Sequence, residues 1–208
     1  MSWFDWKLKD LTLDWKIVFT IVATTMLLVV DHYQAIFPEK WMDHFFLYLV
    51  VPLFCVKYIL QVPLSKLGVQ RGDWKAGLLL TVGGWVLLAA VMVFIAPTAD
   101  FRAYYSGNQS SLPELIFMNF ADLVGWEFIF RGWLLFMLLP VCGPYAIILQ
   151  AVPFTIAHFG KPELETLSCI FGGPAYGYIA WRTRSFYYPF LIHLFLTTIT
   201  ILIARLTA

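Results

Sequence analysis

Charge is scarce in this chain. Asp, Glu, Lys and Arg make up 13% of its 208 residues, against 61% hydrophobic and 18% aromatic, and the mean hydropathy is +0.76. A soluble domain could not cover that much apolar surface, so the composition excludes one and points to a polytopic membrane protein. Basic runs are absent and the net charge is only +1, which excludes a nucleic-acid partner. Cysteine is nearly absent too: Cys55, Cys142 and Cys169 sit in apolar stretches at unrelated spacings. An odd set of this kind excludes a disulfide framework or a metal knuckle and reads as packing thiols. No repeat or low-complexity tract divides the chain, so residues 1–208 are read as one domain. No cleavable apolar region follows the first residues, and the first apolar helix is expected to stay as a signal anchor.

What is present is a series of apolar runs. At about 20 residues per crossing they predict an all-α transmembrane bundle of about seven spans. The spans are expected at roughly 15–36, 43–61, 74–96, 114–139, 144–159, 165–182 and 187–206. Trp3, Trp6 and Trp15, with Lys7 and Lys9, predict an interfacial helix before the first span. Lys66, Arg71, Lys75, Arg182 and Arg184 share the N-terminal side, whereas the opposite loops offer Lys40, Arg102 and Lys161. That bias predicts a cytoplasmic N-terminus and, with seven spans, an external C-terminus.

Against this background five ionisable residues stand out at membrane depth: Glu127, Arg131, His158, Glu165 and His193. Each charge at the bilayer centre costs about 2.5–3.5 kcal/mol even on insertion scales, so their retention calls for a reason. Glu127 and Arg131 are four apart on one helix and can pair. The plain reading of such a pair is a structural lock between helices. His158 follows Phe154 by one turn, and His193 is followed by Thr197 one turn later. A lone intramembrane histidine is often a hydrogen-bonded core residue, but imidazole is also the commonest general acid/base and metal ligand. Glu165 reads either as a first-turn glutamate at a helix start or as a second carboxylate of a site paired with histidine or a metal. Glu163 is expected to be solvated. Gly172, Gly173 and Gly177 make a small face for close helix approach. His32 and His44, beside Asp31 and Asp43, are expected at the interface. One tension arises from the span order: His158 falls near one end of the fifth span and His193 near the opposite end of the seventh. The two meet only if the intervening helices are short, tilted or broken, and Pro153, Gly160 and Pro162 offer such breaks.

These residues carry a resemblance. The stretch Trp126-Glu127-Phe128-Ile129-Phe130-Arg131-Gly132, then Phe154 to His158, then His193 to Thr197, is similar to the three motifs of the CPBP family. That family comprises the CAAX-protease and bacteriocin-processing membrane proteins, also called Abi. The resemblance covers about 114–200; residues 1–113 match only in general character. Trp126 stands where the family has the first glutamate of a Glu-Glu pair, the one thought to activate water there. Thr197 stands where Asn would help hold the oxyanion.

The resemblance implies an intramembrane endopeptidase of the bacterial cytoplasmic membrane, acting on a membrane-embedded or membrane-associated peptide or protein. In that reading Glu127 activates water, Arg131 orients it, and His158 and His193 stabilise the oxyanion or bind a metal, with Glu165 as the replacement carboxylate. A zinc ion held by Glu127, His158 and His193 is one option, and metal-free hydrolysis is the other. Rival readings are a non-catalytic scaffold or immunity protein, which Trp126 favours, a bis-histidine haem protein and a transporter. Haem leaves Glu127, Arg131 and Glu165 unexplained, and no inverted repeat supports transport.

Overall fold

The computed structural model describes residues 14–208, and among them all regular structure is helical. The helices are α1 (Trp15–Tyr33), α2 (Lys40–Leu60), α3 (Trp74–Ile95), α4 (Ala99–Tyr105), α5 (112–142), α6 (146–156), α7 (Glu163–Thr183) and α8 (Tyr187–Leu206). They form an all-α membrane bundle whose seven main members follow the seven expected spans. Trp3, Trp6, Lys7 and Lys9, and the interfacial helix expected of them, lie outside the described residues.

Two of the expected spans differ in kind. Among the described residues five runs are long and apolar enough to cross a membrane: Trp15–Tyr33, Lys40–Leu60, Trp74–Ile95, Leu112–Ile156 and Tyr187–Leu206. The 45-residue run Leu112–Ile156 folds back on itself at Gly143, whose φ of +54° combined with ψ of −139° suits only a residue without a side chain. Its second limb, α6, is therefore a short helix in two pieces, Ala146–Leu149 and Ala151–Ile156, rather than a full span. Helix α7 has the length, 21 residues, but not the apolarity of the other five, since Glu163, Glu165, Arg182 and its glycines dilute it.

Helix α5 begins at a capping box made by Ser111 and Glu114 and runs into the centre of the bundle. Immediately after Glu127 it widens into a π-helical segment, Phe128–Leu134, an irregularity that recurs at functional sites. Phe128, Ile129, Phe130, Trp133 and Leu135 are fully buried there and meet Tyr48, Val56 and Leu60 of α2 in one apolar cluster. Gly125 permits this crossing, because a Cβ there would stand 2.6 Å from the His44 carbonyl oxygen. On the far side of the bundle α3 packs along α8, with Trp85 Nε1 donating to the Leu191 carbonyl at 3.1 Å.

The ends of the bundle are tied by polar contacts. At the basic end, Lys16 donates to the Leu60 carbonyl at 2.8 Å and Arg182 pairs with Asp73 at 2.8 Å, which joins α7 to the start of α3. The Arg182 hydrogen bond holds the Asp73 carboxyl below its ordinary range. At the opposite end, Lys40 pairs with Asp31 at 2.6 Å and Arg205 reaches the Ser110 carbonyl at 2.9 Å. The glycine face of α7 divides. Gly173 and Gly177 press on Ala151 and Gln150 of α6, whereas Gly172 has open space before it. Cys55 and Cys169 are buried, Cys142 is partly so, and all three are free thiols.

Candidate active site

Glu127 and Arg131 sit on successive turns of α5, on either side of the start of the π segment, and both are fully buried. Glu127 Oε1 accepts from Arg131 Nη1 at 3.1 Å and from His193 Nδ1 at 2.7 Å. The guanidinium sits over aromatic rings: Arg131 Cζ is 3.8 Å from the Phe154 ring centre and 5.3 Å from that of Tyr176. Such stacking suits arginine, whose weakly hydrated plane tolerates aromatic contact better than an ammonium would.

His158 Nδ1 lies 2.8 Å from the Phe154 carbonyl oxygen. A carbonyl only accepts, so Nδ1 carries the proton and Nε2 keeps its lone pair. The same reasoning holds for His193, whose Nδ1 faces a carboxylate. The Phe154 ring centre is 4.4 Å from His158 and 6.2 Å from His193, so one aromatic ring separates the two imidazoles. The depth problem raised by the span order is resolved by α6. It is short enough to bring His158, in the turn after it, down to His193, which lies nearly two turns inside α8.

These side chains border a cavity of about 460 Å³ between α3, α7 and α8, with Phe101 and Tyr105 of α4 also in its lining. His158, His193, Tyr176, Thr197 and Glu165 line it and most of the remaining wall is apolar, whereas Glu127 and Arg131 lie behind that wall.

Residues 108–199 match the family model described as type II CAAX prenyl endopeptidase, Rce1-like. The matched segment is similar to that family. The match contains Glu127, Arg131, His158 and His193 and covers α5 to most of α8. No curated protein and no solved structure matches the chain.

Trp126, next to Glu127, is structural in its contacts. Trp126 packs edge-on to His158, with ring centres 5.1 Å apart, and its Nε1 is 2.9 Å from His44 Nδ1. His44 is not interfacial, as expected from its place near a span end, but buried. Its Nδ1 meets Asp122 of α5, its Nε2 stands 3.3 Å from Asp31 of α1, and its ring stacks on Tyr48. Asp43 is buried too and accepts from the backbone of Ile36 and Phe37. His32 is exposed, as expected.

Glu165 lines the cavity, but its carboxylate is bound to Tyr105 at 2.6 Å and Lys161 at 3.3 Å rather than to either histidine. Lys161, one turn before it, and α4, which also lines the cavity, reach it first. Burial and the Glu165 carboxylate push the Tyr105 phenol above its ordinary range, so it stays a donor.

The donor set does not fit a catalytic zinc, which takes three protein ligands. Glu127 Oε2 is without a partner, but the carboxylate meets His193 at Nδ1, across the ring from the free Nε2, so one ion does not reach both, and among the described residues no group of three or more His, Cys, Asp or Glu is placed to hold a metal.

Reading the sequence missed Tyr176 and Gln150. Gln150 is fully buried and donates to the Gly173 carbonyl at 3.0 Å, beside the weaker contact of Arg131 Nη2 at 3.5 Å. Its position one turn before Phe154 on the motif face was the available signal. Tyr176 had none, because its partners come from other helices.

Proposed function

We propose that the protein is an intramembrane endopeptidase in which His193 is the general base and Glu127 its positioning residue. The observation that carries this reading is the 2.7 Å contact between Glu127 Oε1 and His193 Nδ1, with the carboxylate sealed and the imidazole on the cavity wall. A carboxylate with no exposure does not meet water directly, which speaks against Glu127 as the group that activates it. Bound to Nδ1, it selects the tautomer whose Nε2 accepts a proton. Water held by His193 Nε2 attacks the scissile carbonyl as its proton passes to the imidazole. The imidazolium, stabilised by Glu127, then gives that proton to the leaving amine as the C–N bond breaks. A positioned acid/base of this kind contributes about 10²–10⁴-fold. His158, with its own free Nε2, holds the second face of the water.

The apolar walls of the cavity favour a substrate presented within or at the bilayer: a membrane-associated peptide or protein segment. The distribution of lysine and arginine supports an N-terminus on the cytoplasmic side, and the family resemblance supports a bacterial cytoplasmic membrane.

The test is cleavage of an internally quenched, alkyl-anchored peptide by purified protein in liposomes. Wild type is expected to release fluorescence, and His158→Ala to lower kcat by about 100-fold. No release above empty liposomes sinks the reading. Glu165→Gln is expected to cost less than about tenfold, because the amide keeps an acceptor for Tyr105 and loses only the partly exposed Lys161 pair. A loss as large as that of His158→Ala would give Glu165 a part in the chemistry.

A further inference from the structure

The proposed hydrolysis leaves one requirement unmet. Both imidazoles turn lone pairs, not N–H groups, toward the cavity, since each Nδ1 proton is committed to an oxygen. A tetrahedral intermediate needs a donor for its oxyanion, and removing one such donor from a hydrolase costs about 10²–10³-fold in kcat.

The hydroxyls that line the cavity can be sorted by their partners. Tyr105 is given to Glu165, Ser168 to the Glu165 carbonyl at 2.7 Å and Thr200 to the Leu196 carbonyl at 2.7 Å. Tyr176 and Thr197 also line the cavity, and neither hydroxyl has a hydrogen-bond partner among the described residues. Thr197 occupies a motif position; Tyr176 belongs to none of the three motifs. The Tyr176 ring centre is 5.5 Å from that of His193, and the ring is held by the Arg131 guanidinium on one side. The residue is 8% exposed and lines the same cavity as His158 and His193.

We propose that Tyr176 is a catalytic residue of this site, donating its phenolic hydrogen bond to the oxyanion that forms when water attacks beside His193. This rests on the hydrolase reading above. The phenol keeps its proton throughout: it stabilises the negative oxygen while His193 carries the transferred proton from water to the amine. Arg131 thereby has two tasks, pairing with Glu127 and fixing the donor ring. A ring clamped in this way pays little to be in place when charge develops.

The experiment uses the full chain in liposomes with the same alkyl-anchored quenched peptide. Tyr176→Phe keeps the ring on Arg131 and deletes only the donor. It is expected to lower kcat by about 100-fold, with KM changed less than about twofold. A peptidyl trifluoromethyl ketone, whose hydrate mimics the tetrahedral intermediate, is expected to lose a similar factor in Ki. Should Tyr176→Phe fail to fold, Tyr176→3-fluorotyrosine keeps the shape and alters only the acidity of the hydroxyl, so kcat is expected to shift; an unchanged kcat overturns the assignment. Wild-type kcat in Tyr176→Phe, with wild type active and His158→Ala impaired, overturns the Tyr176 role and leaves the hydrolase reading standing. A wild type that cleaves nothing sinks both.

Discussion

Glu127→Gln is expected to lower kcat by about 10³-fold while the protein remains folded, because it removes the charge that stabilises the His193 imidazolium and leaves the packing of α5 unchanged. Oε1 alone accepts from both Arg131 and His193, so the glutamine carbonyl takes its place for both and the buried guanidinium keeps its acceptor. The negative charge is lost, and the imidazolium that forms as His193 takes the proton of water is no longer stabilised by it. Helical content and the unfolding midpoint in detergent should stay close to wild type. Glu127→Asp, which keeps the charge on a shorter stem, is expected to recover part of the loss. If Glu127→Gln cleaves the anchored peptide at the wild-type rate, Glu127 has no part in setting the base.

Arg131→Ala is expected to cost the bundle itself. The substitution leaves Glu127 fully enclosed with His193 as its one remaining partner, and stranding a buried charge costs about 3–5 kcal/mol. It also removes the plane that fills the space between Phe154 and Tyr176. The unfolding midpoint in detergent is expected to fall by on the order of 10 °C. Glu127→Gln/Arg131→Met, which removes both charges and keeps the volume, should recover most of that stability and none of the activity. That split separates the structural part of the pair from its catalytic part. An Arg131→Ala protein that unfolds at the wild-type midpoint would show that the pair is no lock.

Hydropathy along the chain was sufficient for the membrane class and for the approximate place of each helix, because the cost of burying charge acts residue by residue. Motif spacing was sufficient to bring Glu127, Arg131, Phe154, His158 and His193 into one hypothesis, since residues four apart share a helical face whatever surrounds them. Those two kinds of information are local. What the tertiary structure decided is everything that depends on one helix meeting another. The turn at Gly143 shortened α6 and brought Phe154, with His158 one turn on, against His193. Packing of α4 at the cavity gave Glu165 to Tyr105, and the crossing at Gly125 buried His44 between Asp31 and Asp122 beneath Trp126. The exclusion of Glu127 from the cavity and the inclusion of Tyr176 follow from the same contacts. A sequence states which side chains a helix carries and on which face. Which of them stands behind a wall and which lines it depends on how closely two helices approach, and that is set by side chains far apart in the chain.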